Sequence, residues 1–250
     1  MKIAVITGGS RGLGQNMAQH VAAQGHGVVI TYKSRAAEAG EVVRRIEAAG
    51  GKAAALPLDV ARSADFPAFA MALRGVLRDV WDTEGFDFLV NNAGIGTNAP
   101  FAETTEAQFD ELVAIHLKAP FFLTQALLPV LRDGGRIVNV SSGLARFTLP
   151  GYAAYAAMKG GVEVLTRYMA KELGARRISV NTIAPGAIET DFGGAAVRDN
   201  PQVNQFIAAQ TALGRAGLPD DIGGAVAALL GGGTGWINGQ RIEVSGGMYL

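Results

Sequence analysis

The chain has 250 residues, 49% of them hydrophobic and 18% charged, enough to bury one sizeable core, so residues 1–250 read as a single domain. It contains no cysteine, which excludes disulfides, thiolate nucleophiles and thiolate metal sites; its three histidines (His20, His26 and His116) leave little for an imidazole site, so no metal is expected and redox chemistry has to come from a bound cofactor. Lysine plus arginine balance aspartate plus glutamate at 22 each, which leaves no overall field to draw nucleic acid or an anionic membrane.

Met1 is followed by Lys2-Ile3-Ala4-Val5-Ile6-Thr7, which runs straight into glycines, unlike the long apolar stretch and small-residue cleavage site of a secretory signal. Charged residues interrupt every run that approaches the roughly 20 apolar residues of a bilayer span. A soluble, cytoplasmic protein is expected. Short, almost wholly apolar strand candidates fall at 3–6, 28–32, 53–56, 88–90, 136–140, 178–183 and 241–244, with helical patterns between them at 12–24, 35–49, 63–81, 106–131, 152–176 and 219–230. Such runs suit parallel strands covered on both faces. Their alternation with helices implies a doubly wound, Rossmann-type α/β sheet of about seven parallel strands with helices on both faces. In these sheets ligands bind beyond the carboxyl ends of the strands, where the strand order reverses.

The first strand runs into Thr7-Gly8-Gly9-Ser10-Arg11-Gly12-Leu13-Gly14 and then directly into helix. Glycine there lets a pyrophosphate approach the backbone, and the helix offers free N–H groups and the positive end of its dipole. The spacing Gly-x-x-x-Gly-x-Gly departs from Gly-x-Gly-x-x-Gly, so taken alone it also fits a tight structural turn. After the second strand comes Tyr32-Lys33-Ser34-Arg35, with no carboxylate before Glu38. An NAD site usually places an acid there to hold the ribose hydroxyls. Lys33, Ser34 and Arg35, with Arg11 from the glycine loop, instead suit a 2′-phosphate, which points to NADP(H) over NAD(H). The competing reading is that these cations are simply solvated.

The fifth strand ends in Val138-Asn139-Val140-Ser141-Ser142, and a helix opens with Tyr155-Ala156-Ala157-Met158-Lys159. Residues four apart share a helical face. A phenol is a poor acid at neutral pH unless a nearby ammonium stabilises its phenolate, and Lys159 is placed to do so. Ser142 is placed to hydrogen-bond a substrate oxygen as it gains negative charge.

Through the glycine loop, Asn91-Asn92-Ala93-Gly94, Ser142, Tyr155-x-x-x-Lys159 and Pro185-Gly186, the chain resembles the short-chain dehydrogenase/reductase family over essentially its whole length. The resemblance implies that Tyr155 is the general acid/base, that Lys159 lowers its pKa and binds the nicotinamide ribose, and that Ser142 polarises the carbonyl. It implies a cofactor site of Gly8, Ser10, Arg11, Gly12, Leu13 and Gly14 in the loop. Tyr32, Lys33, Ser34 and Arg35 follow, with Asp59 on the adenine beside Val60, and Asn91, Ala93 and Gly94 along the adenine ribose. Pro185, Gly186, Ile188 and Thr190 border the nicotinamide, and Tyr155 and Lys159 belong to the cofactor set as well. The chain departs from the family in Ala114-Ile115-His116-Leu117, which puts histidine where an asparagine of the proton relay usually stands. His116 is expected to replace it, titrating near pH 6.5 and weakening Lys159 when protonated; the other reading is a histidine merely packed in its helix.

The segment 187–205 reads either as a substrate lid or as an ordinary surface connection. Ala145, Phe147, Leu149 and Tyr152 suggest a hydrophobic carbonyl or alcohol as the small-molecule substrate, although fold and cofactor do not fix its identity. Helices 106–131 and 152–176 carry surplus apolar residues (Phe121, Phe122, Leu127, Leu128, Val164, Leu165, Met169), which suggests subunit contacts. The resemblance implies a homo-oligomer, tetramer or dimer, with Met248-Tyr249-Leu250 as a further contact. The alternative function is a catalytically idle NADP(H)-binding sensor.

Overall fold

In the computed structural model, which describes residues 1–250, seven strands form one sheet: β1 (Ile3–Ile6), β2 (Gly27–Tyr32), β3 (Ala53–Pro57), β4 (Phe86–Asn91), β5 (Leu131–Val140), β6 (Ser179–Pro185) and β7 (Arg241–Val244). The order is β3-β2-β1-β4-β5-β6-β7 and every pairing is parallel, so the order reverses between β1 and β4. Helices α1 (Gly12–Ala23), α2 (Ala36–Ala48) and α9 (Pro219–Leu230) cover one face; α3 (Phe66–Trp81), α5 (Ala119–Leu127) and α6 (Ala153–Glu172) cover the other.

Strand alternation divides the core. Ala4, Ile6, Val28, Ile30, Phe88 and Val90 pack on α1, α2 and α9 through Met17, Val21, Val42, Ile222 and Val226. Ile3, Val5, Val29, Leu89 and Ile137 pack on Phe66, Leu73, Leu77 and Leu123. The central strands β1, β2 and β4 are buried on both sides almost throughout, which is why their runs lack regular polar alternation, whereas the edge strands β3 and β7 are only partly buried.

Two segments differ from expectation. The helix expected over 106–131 is α4 (Glu106–Val113), a π-helical turn (Ala114–Lys118) and α5, ending at Leu127. Pro120 has no N–H to donate to the carbonyl four residues back, at His116, and Ala119 bonds Ala114 instead, five residues away. β5 starts at Leu131 rather than 136, and a register shift passes over Asp133, Gly134 and Gly135, with Gly134 at φ 75°. The helices α7 (Ala196–Asp199) and α8 (Pro201–Ala209) lie in and after the segment 187–205. No helix is long and apolar enough to cross a membrane.

Candidate active site

A cavity of about 600 Å³ opens above the carboxyl ends of the strands at the reversal between β1 and β4. One end is built by the glycine loop. Gly8 sits at φ 67° with its absent side chain facing Ala93, and a Cβ on Gly14 would lie 2.2 Å from the Gly8 carbonyl. No side chain caps α1 and its first turn carries no acid, so its N–H groups face the cavity uncompensated. Asn92 ties the loop to β4: its amide donates to the Thr7 carbonyl at 2.8 Å, and its own N–H donates to Thr7 Oγ1 at 2.9 Å. Ser10, Arg11, Gly12, Leu13, Tyr32, Lys33, Ser34, Arg35, Asp59, Val60, Ala93, Gly94, Pro185, Gly186, Ile188 and Thr190 line the same cavity. A glycine cradle, an uncapped helix end and three cations form a donor set that fits the phosphates of a dinucleotide, including a 2′-phosphate.

The cations are not bare. Lys33 pairs with Asp59 at 3.0 Å, Arg35 with Glu38 at 2.9 Å, and Arg11 with Asp191 at 3.6 Å. Asn91 departs from expectation. As the last residue of β4 its side chain points into the interior, where the amide donates to Asn139 Oδ1 at 2.8 Å and Thr124 Oγ1 at 3.2 Å, and Asn92 lines the cavity in its place.

At the other end, β5 delivers Ser142 and the first two turns of α6 deliver Tyr155 and Lys159; all three line the cavity. Tyr155 and Lys159 are only 6% and 5% exposed. Burial pushes the Lys159 ammonium down to about 7, and its Nζ donates to the Val140 carbonyl at 2.7 Å. Burial also raises the Tyr155 phenol above its ordinary value, while hydrogen bonding with Ser142 pulls the other way. The expected lowering of this phenol by Lys159 is therefore absent here: desolvation dominates, and Nζ lies 5.5 Å from the phenol ring with its bond committed to Val140.

His116, in the π-helical turn, stands edge-on to Tyr155 with ring centroids 5.2 Å apart. Burial, then the neighbouring Lys159 charge, push its pKa down to about 3. The expected protonation near pH 6.5 is thus overturned. The ring is neutral, Nε2 bonds the Ile95 carbonyl at 2.8 Å, and the buried Nδ1 has no partner.

The substrate end of the cavity is apolar and aromatic. Phe147, Leu149 and Tyr152 line it as expected, whereas Ala145 does not. Phe192, Val197 and Val203 from the segment 187–205 also line it, with the Phe192 and Tyr155 ring centroids 5.9 Å apart. Phe206, Ile207 and Met248 also line it, and the sequence pattern did not single them out for the site. Met248 is 1% exposed and packs on Ile207 and Ala216 within the chain, so it is a cavity wall and not a subunit contact.

The family described as Enoyl-(Acyl carrier protein) reductase matches residues 8–249. A hydroxynaphthalene reductase-like protein, Arp2 of Metarhizium brunneum, is 35% identical over 257 aligned residues, covering 98% of this chain and 94% of that protein. Two solved structures superpose closely. The promiscuous reductase LugOII, which catalyses keto-reduction at C1 during lugdunomycin biosynthesis, has TM-score 0.94 and 36% identity, covering 100% of this chain and 98% of its own. The angucycline C-6 ketoreductase LanV with bound NADP has TM-score 0.94 and 35% identity, covering 99% and 95%.

Proposed function

The chain belongs to the short-chain dehydrogenase/reductase family and is an oxidoreductase, and within that family we propose that it is an NADP(H)-dependent ketoreductase of planar, largely apolar aromatic ketones. The observation that carries this reading is the meeting of Ser142, Tyr155 and Lys159 between a phosphate cradle and an aromatic wall in one cavity. When bound, a reduced nicotinamide supplies hydride. Ser142 Oγ donates to the substrate oxygen, and Tyr155 passes its proton to that oxygen as it becomes an alkoxide. Burial keeps the phenol protonated at neutral pH, the state a proton donor needs in the reducing direction. Lys159, charged or neutral within a unit or so of pH 7, orients the ribose and replenishes the proton. His116 stands at the relay position as a neutral imidazole, its Nδ1 able to accept a hydrogen bond.

NADP(H) is preferred over NAD(H) because Lys33, Ser34, Arg35 and Arg11 meet the adenine-ribose end where an acid would otherwise stand. The aromatic substrate follows from the lining of Phe147, Tyr152, Phe192 and Phe206 and from the chemistry in the relatives' names, hydroxynaphthalene being a fused planar ring system. Phe121, Phe122, Val164 and Tyr168, exposed on α5 and α6, support a homo-oligomer, whereas Leu127 is buried in the subunit core and Leu128 and Met169 pack against that core. A cytoplasmic location fits a site that draws on the NADPH pool. The test mixes the protein with NADPH, and separately NADH, follows nicotinamide absorbance against a panel of aromatic and aliphatic ketones, and repeats it with Tyr155→Phe. Turnover with NADPH on aromatic ketones, lost in the variant, is expected. Tight NADPH binding without turnover in either direction would overturn the reading in favour of an idle sensor.

A further inference from the structure

Behind the Ser142 turn runs a line of charge that the reduction chemistry does not use. Tyr155, Lys159 and Glu163 stand four apart on α6 and so share one stripe of the helix. The Glu163 side chain is 14% exposed; its Oε1 accepts from Ser141 Oγ at 2.6 Å and from Arg241 Nε at 2.8 Å. Arg241, on β7, also donates to Glu243 at 2.9 Å and, through Nη2, to the backbone carbonyl of Ser142 at 3.3 Å. Glu243 takes Arg146 at 3.0 Å, and Arg146 Nη2 donates to the carbonyl of the cavity-lining Met248 at 2.7 Å. Two carboxylates and two guanidiniums alternate, so the line is self-neutralising. It joins the end of β5, α6, β7, the turn after Ser142 and the carboxyl-terminal segment.

Stability alone does not account for it. Exposed ion pairs contribute little, and half-buried ones do no better than apolar side chains of the same size. An apolar pair would also hold β7 to α6. It could not aim hydrogen bonds at both the Ser141 hydroxyl and the Ser142 carbonyl, between which the Ser142 side chain is hung.

We propose that Glu163 and Arg241 are positioning residues for carbonyl reduction, fixing the Ser141–Ser142 turn so that Ser142 Oγ and the Tyr155 phenol converge on one substrate oxygen. The role rests on the ketoreductase reading above. The experiment compares Glu163→Leu with Glu163→Gln, which keeps the size and an acceptor for Ser141. Because a misplacement of about 1 Å can cost on the order of 100-fold, single-turnover hydride transfer is expected to fall roughly 10- to 100-fold in Glu163→Leu. NADPH Kd should stay within about twofold, and Glu163→Gln should recover most of the rate. Independently of activity, amide exchange over residues 142–147 should rise in Glu163→Leu, because the Leu144 and Ala145 N–H groups bond Ser142 Oγ and the Ser142 carbonyl. Unchanged exchange there, or wild-type hydride transfer in Glu163→Leu, overturns the proposal. So does an equal loss of NADPH affinity with faster exchange throughout, which would mark a loosened fold. A wild-type protein that reduces no ketone sinks the ketoreductase reading instead, and the exchange comparison then still decides whether Glu163 fixes the turn.

Discussion

Replacing Lys159 with methionine should inactivate the protein and, at the same time, stabilise its cofactor-free fold. Burial moves the ammonium from 10.5 to about 7. At about 1.4 kcal/mol per unit, the fully charged group costs the fold about 5 kcal/mol. Below pH 7 the folded and unfolded chains both hold the proton, so the native state bears the whole cost. Between about 7 and 10.5 the unfolded chain keeps a proton that the folded chain has lost, so stability rises with pH and the cost fades. Methionine fills similar space without charge but leaves the Val140 carbonyl without its 2.7 Å donor, a loss of about 1–3 kcal/mol. The net gain near pH 6 is then about 2–4 kcal/mol. The unpaired carbonyl costs the same at every pH and cancels from the comparison, so the advantage of Lys159→Met should shrink by about 3 kcal/mol between about pH 6 and pH 9. Urea unfolding of both proteins without cofactor at those two pH values measures it. A difference that does not change with pH would show that the ammonium is not desolvated and would remove the physical basis for its activation. A variant that is more stable yet inactive would mark Lys159 as held against the interest of the fold for its chemistry.

Lys33→Ala with Arg35→Ala should raise KM for NADPH by roughly tenfold and leave KM for NADH nearly unchanged, since each side chain is half-exposed and supplies one charge-assisted bond; equal effects on both cofactors would assign these residues elsewhere. The neutral His116 ring, with its pKa at about 3, puts no step in kcat near pH 6.5, so His116→Asn should leave the profile's shape intact from about pH 5 to 8. A wild-type inflection there that disappears in the variant would contradict the buried, neutral imidazole. Gly14→Ala sets a Cβ 2.2 Å from the Gly8 carbonyl and 2.6 Å from Asn92 Nδ2, both fixed backbone-tied groups, and titration of NADPH by fluorescence should show binding lost or weakened by more than about tenfold. Wild-type affinity in a folded Gly14→Ala protein would mean that the loop does not make the cradle.

The sheet was legible because its central strands are apolar on both sides: the bounds of β1 agree with the sequence pattern, as do those of the half-buried edge strand β7, and the remaining strands differ at one or both ends. The start of β5 was not, since Asp133-Gly134-Gly135 has the composition of a turn and only pairing with Phe86 reveals a strand before it. The break in helix 106–131 lay in Pro120, but a proline near a helix start is ordinary, and the π-helical turn became visible only through its hydrogen bonds. Tyr155 and Lys159 were found because four residues are one helical turn, a local relation that spacing encodes. Asn91 was misplaced because adjacent residues of a strand face opposite ways, and which of two asparagines meets the cavity depends on the parity of the pleat against neighbouring strands. What the sequence by itself determined was periodicity and local spacing: the α/β alternation, the glycine loop and the Tyr-Lys pair. Tertiary structure alone decided which groups are dehydrated and which distant ones meet. Burial, not residue type, makes His116 neutral and Lys159 a weak base, and folding, not spacing, brings Arg241 to Glu163 across 78 residues.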